Sequence, residues 1–137
     1  MEVKISMSYL EDKKYKVKNT SGNELVVDMY AKEEKGNLSP MELLLSAIVT
    51  CAAVEIVSMV KKRRRDFSDI KAEVSGLRAE THPMYYKEVK IKYVIYSKDL
   101  QENEAERFIS LALEKYCSVG SSIRKDTQII HSFDIIR

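Results

Sequence analysis

The chain has 137 residues, 45% hydrophobic and 32% charged, and its 23 basic and 21 acidic side chains leave a formal charge of +2. That composition excludes a disordered chain, and so balanced a charge gives no argument for a nucleic-acid partner. The length fits one domain over 1–137 with a real core; two cysteines are too few for a secreted disulfide framework, so a reduced, cytoplasmic pair is expected.

In chain order, Val3, Ile5, Met7 and Tyr9 alternate with Lys4, Ser6 and Ser8. Tyr15 and Val17 alternate with lysines, and Leu25, Val27 and Met29 continue the pattern after a turn at Asn19–Asn23. Period-two alternation predicts three strands of an antiparallel meander with one buried face. Lys32–Leu38 reads as a loop. The period then changes: Ser39, Pro40 and Glu42 make a capping-box start, and the apolar run predicts a helix from Pro40 to about Arg64, about 37 Å long. Within it Leu43–Val60 carries one charge, Glu55, and is slightly short for a bilayer, so a core helix is expected and no membrane span. The opening residues show no basic-then-apolar leader pattern, and none is expected. So apolar a helix needs cover on nearly every side, more than about 110 other residues readily supply. A second copy of the chain is the natural source, which predicts an obligate homodimer centred on this helix.

The basic run Lys61–Arg65 suits the negative end of the helix dipole and, without interleaved aromatics, points to no nucleic-acid surface. Ile70, Ala72 and Val74 predict a fourth strand, and Val89, Ile91, Tyr93 and Ile95 a fifth, joined by a loop holding His82 and Pro83. Asp99 and Glu102 have capping-pair spacing and open an amphipathic helix through Ala105, Phe108, Ile109, Ala112 and Tyr116, which gives out near Cys117. Thr127–Ile136 closes the chain as a strand. The order βββ-α-ββ-α-β is α+β rather than alternating βαβ.

Phosphate loops, GxSxG, HExxH and CxxC are all missing, and the cysteines and histidines at 51, 82, 117 and 131 lack metal-site spacing, so neither metal nor cofactor is expected. His131, on an apolar face, is expected buried and hydrogen-bonded; His82 is expected exposed. Two cysteines 66 positions apart are either inert packing or a pair, and spacing leaves both open. Small neighbours of Cys51 (Thr50, Ala52, Ala53) leave room for something to approach. Glu55, one turn on, is a lone carboxylate that needs a partner.

SPMELLLSAIVTCAAVEIVSMVKKRR, HPMYYKEVKIKYVIYSKDL and EKYCSVGSSI, in that register, resemble the OsmC/Ohr family of thiol peroxidases. The resemblance covers nearly the whole chain. It implies an intertwined homodimer with long central helices packed together, a peroxidatic cysteine at Cys51 and a resolving cysteine at Cys117. The implied activity is reduction of a small organic hydroperoxide, with the resulting disulfide returned to dithiol by an external reductant, lipoyl-type or other. Members of the family activate the thiolate with an arginine from the N-terminal strands, oriented by an acid near the start of the central helix. Here no arginine precedes Arg63. Lys14 and its neighbours stand in the N-terminal segment, Glu42 falls one residue beyond the family's acidic position, and Arg124 is a candidate cation from the other end. The missing arginine favours the alternative of a non-enzymatic homologue that binds a small apolar or thiol-containing ligand at the dimer interface, whereas the retained Cys51 and Cys117 favour the peroxidase.

Overall fold

The computed structural model describes all 137 residues and contains the expected elements in the expected order. Strands β1 (Ile5–Glu11), β2 (Lys14–Asn19) and β3 (Glu24–Asp28) precede helix α1 (Pro40–Lys62), and β4 (Asp69–Arg78) and β5 (Tyr86–Tyr96) follow it. Helix α2 (Glu102–Leu111), a π-turn at Ala112–Tyr116, a 3₁₀ turn at Gly120–Ser122 and β6 (Gln128–Ile136) complete the chain. The chain forms two compact units, Met1–Leu44 and Leu45–Arg137, with the junction inside α1.

The first unit is the expected antiparallel meander, with Met7 opposite Val17 and Tyr15 opposite Val27, but the expected buried face is absent from β1, every residue of which is exposed in the single chain. Its only fully buried residue is Asp28, whose carboxylate accepts the Tyr30 and Gly36 backbone N–H groups at 2.9 Å each. Those bonds, the Gly36 one foremost, hold the Asp28 pKa below the usual carboxylate range. They organise the loop before α1. The capping box forms as expected: the Ser39 N–H donates to Glu42 at 2.9 Å and the Glu42 N–H to the Ser39 hydroxyl at 3.4 Å.

The second unit is a three-stranded sheet in the order β4-β5-β6, with β4–β5 antiparallel and β5–β6 parallel. A parallel pair needs a crossover, and α2 supplies it, so one βαβ crossover sits inside the α+β order. Val89, Ile91, Tyr93 and Ile95 of β5 are buried with Ile48, Ala52, Ile56 and Val60 of α1. The four α1 residues recur every fourth position, a stripe along one helix side. Tyr86 lies over Gly76, where any Cβ would come within 2.3 Å of the ring, so only glycine fits there.

Two boundaries differ from expectation. Helix α1 stops at Lys62 rather than near Arg64, because Arg64 takes a left-handed φ of 61°. The Arg64 N–H then bonds the Lys61 carbonyl and the Arg65 N–H the Val60 carbonyl, the pairing of a Schellman cap. Helix α2 is capped by Gln101 and Glu104, not by Asp99 and Glu102. The Leu100 N–H donates to the Ser97 hydroxyl at 3.0 Å, a turn that delays the helix, and the Asp99 carboxylate instead accepts the Asp66 N–H at 2.8 Å. Glu104 then accepts the Gln101 N–H at 3.0 Å.

By length and composition α1 is able to cross a membrane. Its buried stripe packs in the second unit as a core helix does. Only 22% of its apolar stretch is buried within one chain, however, and Val54 is 69% exposed. Ile5, Met7 and Tyr9 of β1 are each more than 60% exposed.

Candidate functional site

Cys51 lies in the middle of α1, half-buried, between the fully buried Ile48 and Ala52. Two α1 carbonyls just before it carry bonds from outside the helix. The Tyr93 hydroxyl of β5 donates to Val49 at 2.8 Å, and the Cys117 thiol donates to Ile48 at 3.8 Å. Thr50 turns its hydroxyl back to the Ser46 carbonyl at 2.7 Å, which satisfies it within the helix.

Cys117 arrives by a different route. The chain widens after α2 into a π-turn, and the Cys117 N–H bonds the Ala112 carbonyl, five residues back, at 2.8 Å. Such turns shift the following side chain relative to a regular helix. The Cys117 side chain is fully buried, with its sulfur 3.8 Å from the carbonyl of Ile48, three residues before Cys51, and near enough to Cys51 for that thiol to perturb its ionisation. Gly120 donates its N–H to the Cys117 sulfur at 3.2 Å, and a Cβ at Gly120 would already touch that sulfur at 3.4 Å. Burial pushes the Cys117 thiol pKa up, the Gly120 N–H pulls against it, and the proximity of Cys51 adds to the rise. Cys117 is therefore held as a protonated thiol beneath a more accessible one.

Tyr93 is the residue that sequence reading did not single out. Its alternation with Ile91 and Ile95 marks a core strand position, and the structure indeed buries it completely. Burial, then the proximity of Cys117 and of Cys51, raises its phenol pKa, so the hydroxyl remains a neutral donor to the Val49 carbonyl. The available signal was chemical: a buried tyrosine hydroxyl in an apolar strand needs a partner.

The remaining candidates lie elsewhere. Lys14, on β2, pairs with Glu11 at 3.4 Å. Glu42 belongs to the capping box and to an ion pair with Lys35. The Lys35 ammonium first, and then the Ser39 donors, hold its pKa down to about 2. Arg124 gives both prongs of its guanidinium to Asp126, at 2.6 and 3.0 Å, and stacks 3.6 Å from the Tyr85 ring centre, so its bonds go to neither sulfur. Glu55 is half-buried on α1 with no ion-pair partner in its own chain. His131 is hydrogen-bonded as expected, to Glu106 at 2.8 Å, but its side chain is 18% exposed rather than buried; His82 is exposed. No group of three metal-ligating side chains forms.

The basic run after α1 does more than complement a dipole. Arg63 and Arg65 both donate to Glu104, at 2.9 to 3.1 Å, and bind the end of α1 to the start of α2.

A chain of this order, with a half-buried cysteine on the long helix and a second cysteine presented to it after α2, is of the OsmC class. The family model described as OsmC-like protein matches residues 31–132, and the chain belongs to that family. Protein YhfA of Escherichia coli (strain K12) is 29% identical over 118 residues, covering 86% of this chain and 87% of that protein. A hypothetical protein from Aquifex aeolicus VF5 is 30% identical, with a TM-score of 0.86 over 98% of this chain and 96% of that one. An organic hydroperoxide resistance protein OsmC from Legionella pneumophila shares the fold at a TM-score of 0.70 and 19% identity, over 98% and 97% of the two chains.

Proposed function

We propose that this chain is a dimeric, cytoplasmic, thiol-dependent reductase of small organic hydroperoxides, built as one OsmC-like domain over 1–137. The observation that carries the reading is the pairing of Cys51, open enough to meet a substrate, with Cys117, buried but within reach of Cys51. The single-domain reading is supported by the family match and the Aquifex likeness, both of which run through the junction between the two units.

In this reading the Cys51 thiolate attacks the peroxide oxygen remote from carbon. The O–O bond breaks, the alcohol leaves with one proton, and Cys51 becomes a sulfenic acid. The Cys117 thiol then attacks that sulfur; the S–O bond breaks, water leaves, and a Cys51–Cys117 disulfide forms. An external dithiol returns both sulfurs to thiols by exchange and is itself oxidised to a disulfide. The raised Cys117 pKa suits the order of events, because a resolving thiol that stays protonated does not compete for the peroxide. Neither metal nor cofactor is needed.

The test is consumption of cumene hydroperoxide with dihydrolipoamide as reductant. Turnover is expected for the native chain, none for Cys51→Ser, and for Cys117→Ser a single turnover that leaves a sulfenic acid trapped by dimedone. Equal consumption by all three proteins would overturn the reading. A second reading, a non-enzymatic homologue that binds a small apolar or thiol-containing ligand between subunits, is favoured by one observation: the Arg124 fork is committed to Asp126, and no arginine precedes Arg63. In that case all three proteins leave the hydroperoxide intact.

A further inference from the structure

The turn of α1 that precedes Cys51 is held from outside at two adjacent carbonyls. Cys117 donates to Ile48 and Tyr93 to Val49. The two tethers differ in what oxidation does to them. Joining the sulfurs removes the Cys117 hydrogen, so the bond to Ile48 vanishes, whereas the Tyr93 hydroxyl keeps its proton and its bond. Tyr93 is also rigidly seated, fully buried on the central strand between Ile91 and Ile95.

We propose that Tyr93 is a positioning residue for the step that joins the two sulfurs: by holding the Val49 carbonyl, its hydroxyl keeps the α1 turn that leads into Cys51 against Cys117. The inference rests on the reading of Cys51 and Cys117 as a reactive pair and extends it to a residue that touches neither substrate nor reductant. A bonded, buried hydroxyl restricts the helix before the sulfurs meet, and such restriction raises the effective concentration of one thiol at the other.

The measurement is the equilibrium between the native chain and glutathione, with no peroxide present. Oxidised glutathione loses its S–S bond, the Cys51–Cys117 bond forms, and the two thiol protons pass to two glutathione sulfurs. The ratio of oxidised to reduced protein at known glutathione ratios gives the effective concentration of the pair. The bond is present in both redox states, so what Tyr93→Phe loses is the ordering of the α1 turn in the reduced protein: fixing about one residue predicts a fall of about five- to thirtyfold, with the ring and so the packing kept. Tyr96→Phe, altered on the opposite face of the same strand, is expected to match the native value. A Tyr93→Phe value within twofold of native overturns the inference, even if the variant melts at a lower temperature, because a purely structural role would move stability and not the equilibrium. Absence of any Cys51–Cys117 disulfide in the native chain would instead overturn the reading of the pair, and this inference with it. Should Tyr93→Phe fail to fold by circular dichroism, difluorotyrosine at position 93, a stronger donor of the same shape, is expected to raise the effective concentration; no change would overturn the inference.

Discussion

At Cys117 the environment makes a chemical choice that the residue type alone does not. A thiol in an apolar core is ordinarily inert. This one has a backbone donor at Gly120, a carbonyl acceptor at Ile48 and a second thiol at Cys51, so both ends of its S–H group are engaged. Gly76 shows a different single-residue constraint: its missing side chain is occupied by the Tyr86 ring, which is 7% exposed. Gly76→Ala is expected to displace that ring and destabilise the chain by about 1–3 kcal/mol, read from urea unfolding. An unchanged midpoint would show that the ring moves freely. The sequence announces neither contact, since Gly76 and Tyr86 lie ten positions apart on different strands. The proposed roles of Cys51 and Cys117 rest in the sequence on likeness to a family alone, because spacing does not tell a packed cysteine from a paired one.

Among the elements, the strands and α1 followed from periodicity and from Ser39–Glu42. The α2 cap did not, for a physical reason: Asp99–Glu102 and Gln101–Glu104 share one spacing, and the turn at Ser97–Leu100 selects the second. The α1–α2 clamp was equally invisible, as its arginines lie about 40 residues from Glu104. Arg65 first, then the Gln101 N–H and Arg63, hold the Glu104 pKa down to about 2, against an ordinary 4.5. A carboxylate with a lowered folded-state pKa stabilises fully above its unfolded pKa and loses that contribution as pH falls through the folded one. The thermal midpoint is therefore expected to fall between pH 4.5 and 2, and to fall less steeply in Glu104→Gln. Parallel slopes would show that the clamp carries no stability.

Over the whole molecule, the apolar surface left uncovered by one chain is the argument for a second. Helix α1 has most of its apolar stretch outside the core, Glu55 has no cation in its own chain, and β1 presents Ile5, Met7 and Tyr9 to solvent. Surfaces of that extent mark association sites, and a dimer built on α1 would place Cys51 beside the partner's helix. The proposed chemistry rests on one bond, between Cys51 and Cys117. The most direct measurement is mass spectrometry of the native protein after one equivalent of cumene hydroperoxide, with no reductant present. The account predicts a loss of two hydrogens and a peptide pair cross-linked between Cys51 and Cys117; both thiols recovered unchanged, or Cys51 oxidised with Cys117 still free, would contradict it.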